Sequence, residues 1–446
     1  MPASDPRALL TEPYSEEPWW WQDARPQERP VPDLPSETDV AVVGSGYTGL
    51  CCALTLARAG TDVTVFDAGA IGSGASSRNA GFLSGRAGVS KQINLEAAVG
   101  VKRAAAILEE ADEAYEGLQD FLSVEAIDCD FQPCGRFVGA HTPAAFDKLS
   151  AKMAEYNSDG RKLFEMISPA DQKDFIDSPL YYGGMLIKNA GTIHPGRYHR
   201  GLVALCEAAG VRFVPQTRVT RLARDGTKHR VTTDRGTVTA RHVALGTNGY
   251  TDSASPWHQR RVIPISSTII ATEDLGPDRV RSLLPRLCPV IDTKRVIYFA
   301  RPTPNHRAIL FGGRARFTPV GPLESVRILH GQMTEMFPDL ADVRISHTWS
   351  GFMGFTFDFL PKLGRHEDVH YAIGCNGGSG IVMMSWLGHQ MARGILGTAN
   401  RASAFEGLPF KTQPFYSGTP WFLPIVGTWY RFRDWLDMRG RPPVSQ

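Results

Sequence analysis

A glycine-rich turn after an apolar run constrains this chain more than any other feature. Residues 39–43 form a short run rich in β-branched side chains, which favours a strand buried in a parallel sheet. Gly44, Gly46 and Gly49 follow at the G-x-G-x-x-G spacing. In this motif the first glycine permits a tight turn, the second lets backbone approach a pyrophosphate, and the third lets a helix pack against the strand. The pattern predicts a dinucleotide site at a helix N-terminus.

The residues after the glycines complete this dinucleotide-binding unit. The small-residue run from 50 to 59 predicts a helix, which Gly60 ends, and residues 62–66 predict the second strand. Asp67 closes that strand, at the position where an acidic side chain accepts hydrogen bonds from a ribose. Strand, glycines, helix, second strand and terminal acid fall in register, so the prediction is more specific than the glycines alone would allow.

Length, charge and cysteine usage exclude several other classes. A chain of 446 residues favours two domains, and a net charge of +2 gives no reason to expect a nucleic-acid partner. The seven cysteines are scattered without a C-x-x-C pair, which fits neither a disulfide framework nor a zinc site and favours a reducing compartment. The proline-rich, acidic N-terminus does not resemble a secretory signal, and no run approaches the roughly 20 apolar residues that span a bilayer. We therefore expect a cytoplasmic protein without a metal.

Further segments indicate where a ligand and a second layer would lie. The small-residue loop at 72–82 could bring backbone close to a bulky flat ligand. Residues 374–380 form a second glycine-rich turn that leads into a predicted helix at 381–396, and such a helix N-terminus attracts an electron-rich ligand edge. Residues 264–346 predict a separate antiparallel sheet. Three consecutive tryptophans at 19–21 predict that the N-terminal arm lies along the protein's own surface, with partner binding as the alternative.

The combination of these parts resembles one known family. A dinucleotide fold closed by a C-terminal G-x-N-G-G-x-G turn around an inserted sheet domain is similar to the D-amino-acid oxidase-like FAD-dependent oxidoreductases, the group of glycine oxidase and the sarcosine oxidases, and among them to the γ-glutamylputrescine oxidase-like branch. The resemblance implies an α/β fold, with a FAD-binding Rossmann-like domain and an inserted antiparallel-sheet (α+β) substrate domain. We expect the chain to divide as follows: arm 1–36; FAD-binding domain 37–95, 192–255 and 345–415; substrate-binding domain 96–191 and 256–344; amphipathic tail 416–446.

The resemblance also implies how the cofactor binds. The three glycines would hold the FAD pyrophosphate, and Asp67 would bind the adenosine ribose. The loop at 75–82 and the turn at 377–380 would contact the flavin. The helix N-terminus after that turn would stabilise the negative charge of the reduced flavin. Gly351 stands where the sarcosine oxidases tether flavin through a cysteine, so we expect non-covalent FAD, although Cys375 leaves another tether open. The complete set of expected cofactor contacts is Gly44, Ser45, Gly46, Tyr47, Thr48, Gly49, Asp67, Ala68, Ala75, Ser76, Ser77, Arg78, Asn79, Gly81, Phe82, Val219, Gly246, Asn248, Gly377, Gly378, Ser379, Gly380 and Ile381.

One departure from the family pattern bears on the substrate. Residues 349–361 resemble the motif W-x-G-x-R-P-x-T-x-D-x-x-P, whose arginine pairs with the substrate carboxylate in the amino-acid oxidases. Met353 occupies that position and cannot form a charge-assisted pair. An amine substrate therefore fits better than an α-amino acid, with Phe352, Met353 and Phe355 as an apolar pocket wall or as ordinary core.

Three residues of the inserted sheet are the catalytic candidates that the resemblance supplies. Tyr298 and Arg301 match a Y-x-x-R strand that faces the flavin, where the tyrosine could orient the amine and the arginine could hold a distal carboxylate. Lys294 could promote reaction with O2 through its positive charge. For each residue the alternative is a packed or solvated side chain without a catalytic role.

The resemblance implies an oxidase of a primary or secondary amine, γ-glutamylputrescine-like or related. A hydride would pass from the carbon next to nitrogen to flavin N5, the imine would hydrolyse, and O2 would reoxidise the flavin to give H2O2. A dehydrogenase that reduces a membrane quinone is the alternative, because Ile425, Trp429, Phe432 and Leu436 share one face of a basic C-terminal helix that could contact a membrane. Docking of this helix on the protein's own flavin domain is the other interpretation. A flavin-containing binding subunit without turnover is a third reading.

Overall fold

The computed structural model describes residues 5–89, 93–314, 316–317, 320–378 and 380–439. Within these ranges the strands are, in chain order, β1 (Leu10–Ser15), β2 (Glu37–Val43), β3 (Val63–Phe66), β4 (Phe82–Ser84), β5 (Arg136–Gly139), β6 (Phe164–Ile167), β7 (Gly184–Ile187), β8 (Ala190–Thr192), β9 (Arg212–Val214), β10 (Val219–Asp225), β11 (Lys228–Thr233), β12 (Gly236–Leu245), β13 (Ile263–Thr272), β14 (Val290–Asp292), β15 (Phe299–Pro302), β16 (Ile309–Gly313), β17 (Ile345–Phe355), β18 (Lys362–His366) and β19 (Val369–Ile373). The helices are α1 (Trp21–Ala24), α2 (Tyr47–Arg58), α3 (Leu95–Val99), α4 (Val101–Val124), α5 (Pro143–Tyr156), α6 (Pro195–Ala208), α7 (Pro256–Gln259), α8 (Gly276–Leu283), α9 (Pro322–Met336), α10 (Gly380–Leu396) and α11 (Leu423–Arg439).

The first sheet is built around β2, as the opening apolar run predicts. Its strand order is β10-β11-β12-β2-β3-β9, and β19 pairs with β12 on one side and β18 on the other. Strands β12, β2, β3 and β9 run parallel, and helices α2 and α10 pack together against this sheet. The two helices approach closely because Gly388 lacks a side chain: a Cβ there would lie 2.5 Å from the Thr48 carbonyl oxygen. The confirmed class is therefore a mixed α/β fold with a parallel dinucleotide-type sheet.

The second sheet has the strand order β1-β17-β13-β16-β15-β14-β5-β7-β6. Its pairs are antiparallel except β1 with β17 and β14 with β5, which run parallel, so the sheet is mainly antiparallel, as expected. Helices α8 and α9 bury one face of this sheet in a core of their own. The opposite face turns toward the loops of the first sheet, and the space between them contains the candidate site.

Two segments lie elsewhere than the expected division of the chain would place them. Helix α4 packs in the core of α2 and α10, although residues 96–191 were assigned to the substrate domain. Strand β17 pairs with β13 in the second sheet, although residues 345–415 were assigned to the FAD-binding domain. Both cases show that sequence continuity is a poor guide to which sheet a segment joins. The remaining domain bounds stay a prediction.

The N-terminal arm and helix α11 both pack on the body of the protein. The arm lies along the surface as predicted: β1 adds an edge strand beside β17, and Trp20 is fully buried. Helix α11 does not dock on the flavin domain, because its Asp434 bonds to Arg295 and Val296 of the second sheet's side. Its outer face leaves Trp429 and Phe432 about half exposed, at 53% and 47%. None of the described helices is both long enough and apolar enough to cross a bilayer.

Candidate active site

A cavity of about 620 Å³ lies where the strands of the first sheet end and the second sheet begins. Such crevices at the carboxyl ends of parallel strands are the usual ligand sites of α/β proteins. The expected cofactor residues that line the cavity are Gly44, Ser45, Gly46, Tyr47, Thr48, Asp67, Ala68, Ala75, Ser76, Arg78, Asn79, Phe82, Val219, Gly246, Asn248, Gly377, Gly378, Gly380 and Ile381. Ser379 lies outside the described residues.

The glycine turn has the geometry that a phosphate cradle requires. Gly44 adopts a φ of +98°, which a side chain would strain, and a Cβ on Gly49 would lie 1.9 Å from the Gly44 carbonyl oxygen. Gly49 thus lies beneath the cavity rather than in its wall. The Asp67 carboxylate accepts hydrogen bonds from the Ser45 amide and hydroxyl, at 2.9 and 2.6 Å, and from the Gly69 amide at 2.9 Å. These bonds fix the acid at the end of β3, facing the cavity.

Two helices direct their N-termini into the same space. Tyr47 and Thr48 at the start of α2 line one end of the cavity, and Gly380 and Ile381 at the start of α10 line another. Amide groups in a first helical turn lack intrahelical partners and carry partial positive charge. The turn before α10 also requires glycine, since a Cβ on Gly378 would lie 2.1 Å from the Gly88 carbonyl oxygen. The cavity therefore suits an elongated ligand with an anionic group at one end and an electron-rich edge at the other.

Three indole groups hold the loop at 75–82 from behind. Trp20 Nε1 donates to the Asn79 carbonyl at 2.9 Å, and Trp349 Nε1 donates to the Arg78 carbonyl at 2.7 Å. Trp21 Nε1 donates to the Ser77 hydroxyl at 3.0 Å. Ser77 faces these supports and not the cavity, and so does Gly81, where a Cβ would lie 2.1 Å from the Ile193 carbonyl oxygen. The two residues shape the loop without lining the space that it encloses.

Two side chains that line the cavity, the buried His199 and the exposed Tyr250, were not identified from the sequence. His199 Nε2 donates to the Ser45 carbonyl oxygen at 2.8 Å, because a carbonyl oxygen can only accept, and burial lowers the pKa of this imidazole. Tyr250 lies 5.7 Å from Phe352, ring centre to ring centre, at the mouth of the cavity. Neither residue belongs to a recognisable motif. The only sequence signal for Tyr250 was its place directly after the glycine-rich turn at 246–249.

Tyr298 and Arg301 do not line the cavity, and the roles expected for them stay predictions. The Tyr298 hydroxyl donates to Glu335 at 3.0 Å in the core on the far side of the second sheet. Arg301 is 2% exposed, and its guanidinium donates to the carbonyls of Ala80, Ile193 and Pro302. Arg301 therefore supports the loop at 75–82 from behind and does not line the cavity.

Lys294 also lies outside the first cavity. It is 8% exposed, its Nζ is 3.3 Å from the Asp292 carboxylate, and it lies over the ring of Tyr298. Burial lowers the pKa of this ammonium group, and the neighbouring carboxylate offsets part of the effect. The residue lines a second cavity, of about 1160 Å³, beside the first. The Lys294 side chain therefore does not contact the cofactor cavity, and its expected effect on the reaction with O2 stays a prediction.

The predicted substrate wall does line the first cavity. Phe352, Met353 and Phe355 lie there together, with Phe352 at 43% exposure near the mouth and Phe355 almost fully buried. The wall continues with side chains that the sequence did not single out: Arg136, Ile269, Ile291, Ile297, Phe299 and Arg314. Most of these occupy strands of the second sheet, where alternation places every second residue on the cavity face.

Comparison with known proteins agrees with this geometry. A model of the FAD dependent oxidoreductase family matches residues 39–393. A probable oxidoreductase OrdL of Rhizobium meliloti (strain 1021) is 31% identical over 93% of this chain and 97% of its own length. The γ-glutamylputrescine oxidoreductase of Escherichia coli (strain K12) is 31% identical over 90% of this chain and 93% of its own.

Solved structures show the same fold at lower identity. Glycine oxidase from Geobacillus kaustophilus superposes with a TM-score of 0.69 at 20% identity, covering 85% of this chain and 99% of the other. L-proline dehydrogenase from P. horikoshii superposes with a TM-score of 0.68 at 20% identity, covering 90% of this chain and 99% of the other. The family match covers most of the chain and agrees with the glycine turn and the second helix N-terminus. The chain therefore belongs to the D-amino-acid oxidase (DAO) family of FAD-dependent oxidoreductases.

Proposed function

We propose that the protein oxidises a primary or secondary amine and passes the electrons to O2. Hydride acceptance from the carbon next to nitrogen and reduction of O2 to H2O2 are the chemistry that FAD supplies when bound, and imine hydrolysis completes the reaction. The observation that carries the proposal is Met353 in the cavity wall, where the amino-acid oxidases of the family have an arginine. A thioether offers no charge-assisted bond to an α-carboxylate.

The residues of the first cavity have distinct parts in this proposal. Asp67 would accept hydrogen bonds from the ribose, and the amides of the α2 N-terminus would bind the pyrophosphate. The amides at the α10 N-terminus would stabilise negative charge on the reduced cofactor. Phe352, Met353 and Phe355 would exclude water and favour the neutral, reactive form of the amine.

Anaerobic reduction of the purified holoenzyme tests the proposal directly. Polyamines, γ-glutamylated polyamines, N-methyl amino acids and cyclic imino acids are added in turn, and bleaching of the flavin absorbance is recorded. We expect amines to bleach the flavin, and one H2O2 to form per amine after air is admitted. If no member of the panel bleaches the flavin, the proposal is wrong, and a binding subunit without turnover becomes the better description.

A dehydrogenase that reduces a membrane quinone is the second candidate. The exposed face of α11 favours it, since Ile425, Trp429, Phe432 and Leu436 are between 43% and 67% exposed and Arg431, Arg433 and Arg439 lie on the same helix. Such a surface can lie in a membrane interface. Stoichiometric H2O2 would exclude this candidate, whereas bleaching without H2O2 and with reduction of a soluble quinone would favour it.

Two further properties follow from the same site. We propose that FAD is bound non-covalently: Gly351 offers no thiol, and Cys375 is a free, partly buried cysteine at the cavity. Denaturing precipitation should then release the flavin into the supernatant, and flavin in the pellet would instead identify a covalent tether. All seven cysteines are free, which supports a reducing compartment such as the cytoplasm.

A further inference from the structure

The second cavity adjoins the first along one face of the second sheet. Arg136, Ile291, Ile297, Arg314 and Phe355 line both cavities. Helix α11 covers the second cavity on its outer side with an apolar face made of Leu423, Val426 and Tyr430. A ligand whose reactive end lies in the first cavity can therefore extend into the second, past the two arginines.

Arg136 is a buried cation that forms no ion pair with a carboxylate among the described residues. It is 4% exposed, its Nε has no hydrogen-bond partner there, and the ionisable groups that act on it are the phenols of Tyr115 and Tyr156. Burial lowers the pKa of this guanidinium to about 10, which still leaves it charged at neutral pH. It lies on the same face as Ile291, because Val138, two residues further along β5, pairs in register with Ile291.

Arg314 is a second arginine that lines both cavities. Its guanidinium lies 5.0 Å from the ring centre of Phe317 and 5.6 Å from that of Phe355. Among the described residues it has no ion pair, and burial lowers its pKa to about 10 as well. It follows Gly313 at the end of β16, two residues beyond Gly312, which pairs with Phe299.

The three carboxylates of the second cavity are already paired, and the further cations in its lining, Lys148 and Arg433, are exposed to solvent. The carboxylates pair with Lys152, Lys294 and Arg295. Elsewhere in the described residues, buried arginines have partners: Arg86 bonds to Asp112 at 2.6 Å, and Arg301 bonds to three carbonyls. A buried cation without such compensation is costly to fold, so it persists where a ligand supplies the missing anion.

We propose that Arg136 and Arg314 bind a carboxylate of the substrate, so that the enzyme selects amines that carry a carboxylate away from the reacting nitrogen. This inference rests on the proposed amine oxidation and adds the substrate class to it. It assigns to Arg136 of β5 and Arg314, directly after β16, the charge recognition that Met353 cannot provide. Arg301 lies behind the loop at 75–82 and does not line the cavity.

The test uses matched probes on the anaerobic holoenzyme. γ-Glutamylputrescine carries the carboxylate, its α-carboxamide analogue is neutral at the same position, and glutarate is an anion that cannot be oxidised. The dissociation constants of the two amines come from the concentration dependence of flavin bleaching, and that of glutarate from its perturbation of the flavin spectrum. We expect γ-glutamylputrescine to bind at least about tenfold more tightly than the carboxamide.

The variants Arg136→Met and Arg314→Met should each weaken γ-glutamylputrescine and glutarate at least about tenfold and change the carboxamide little. Arg316→Met is the matched control, because Arg316 is exposed and pairs with Glu324. Equal binding of acid and carboxamide would overturn the inference while leaving amine oxidation intact. Loss of FAD from either purified variant would also overturn it, by showing that the arginine binds the cofactor. Failure of every amine to bleach the flavin would instead refute the proposed function.

Discussion

At the scale of single residues, the glycine turn makes a sharp prediction. Gly49→Ala would place a Cβ 1.9 Å from the Gly44 carbonyl oxygen, so α2 must move away from β2. We expect the variant to lose bound FAD and to lower the free energy of unfolding by about 1–3 kcal/mol, the range for strained or overpacked sites. Flavin content per chain and thermal unfolding measure the two effects.

Gly331→Ala is the matched control for that substitution. Gly331 lies within α9 with open space where its Cβ would be, so alanine there should stabilise the protein by about 0.5–1 kcal/mol and leave the flavin content unchanged. Equal effects of the two substitutions would show that helix propensity, and not the close approach at the turn, determines the result.

The indole supports behind the flavin-side loop give a second prediction. Trp349→Phe removes the indole N–H that donates to the Arg78 carbonyl. Because the ring is buried, water cannot easily replace the lost donor. We expect a loss of about 1–3 kcal/mol of stability and a weaker hold on FAD, seen as faster appearance of free-flavin fluorescence on dilution. Trp421→Phe should change neither, because Trp421 donates to the Phe415 carbonyl on the surface, where water can replace it.

These residues also show what the sequence can and cannot supply. Asp67 and the glycines were predictable because spacing along the chain fixes their geometry within one β-α-β unit. A Y-x-x-R motif does not reveal which face of a sheet its side chains occupy. Ile297 and Phe299 line the cavity, so alternation turns Tyr298 to the opposite face. Arg136 and Arg314 carry no motif, and only their place in the lining of both cavities distinguishes them from surface arginines.

At the scale of elements, one carboxylate anchors α11. Asp434 is 7% exposed and accepts hydrogen bonds from the Val296 amide at 2.9 Å and from the Arg295 guanidinium at 2.9 Å. Asp434→Asn should loosen the helix by about 1.5–3 kcal/mol, because a neutral amide replaces a charged acceptor. Hydrogen exchange across 423–439 measures the effect, and faster cleavage there by protease should accompany it.

Asp437→Asn is the matched control, because it tests whether an exposed carboxylate near Arg295 matters as much as the buried Asp434. Asp437 pairs with the same guanidinium at 2.6 Å, but its side chain is 35% exposed, so its loss should cost less than about 1 kcal/mol. If hydrogen exchange in α11 is equally fast in both variants, Asp434 is not the anchor and the helix is held elsewhere. The sequence predicted this helix and its amphipathic character, yet the surface on which it docks depended on Asp434 meeting a loop 139 residues away.

At the scale of the whole molecule, the dinucleotide half was predictable and the pairing of distant segments was not. The order of β2, α2 and β3 follows from local pattern and a right-handed crossover. Edge strand β1 pairs with β17, more than 300 residues away in the sequence, and the pattern of residues 10–15 does not predict that partner. The same holds for α4, whose apolar stripe fits either core by composition alone. Long-range pairing is decided by which surfaces remain unburied, and that is a property of the assembled fold.

Buried histidines make stability depend on pH across the whole fold. Burial lowers the pKa of His194 to about 4 and that of His258 to about 3, against about 6.5 in an unfolded chain. The unfolded state therefore binds more protons than the native state below pH 6.5. Stability is fully present above that pH and falls as the pH decreases, by about 1.4 kcal/mol per pH unit for each histidine until its native pKa is reached.

The urea midpoint measured at pH 7.5, 6.5 and 5.5 should therefore stay nearly level over the first step and fall over the second. His258→Gln should flatten the second step, since its ring is 1% exposed and bonds through Nδ1 to the Ser255 hydroxyl at 2.6 Å. His306→Asn provides the control, because His306 is only partly buried and an asparagine tolerates its φ of 55°. An unchanged slope in His258→Gln would mean that other groups carry the acid sensitivity, with His194 and its contact to Asp23 at 3.0 Å the next to replace.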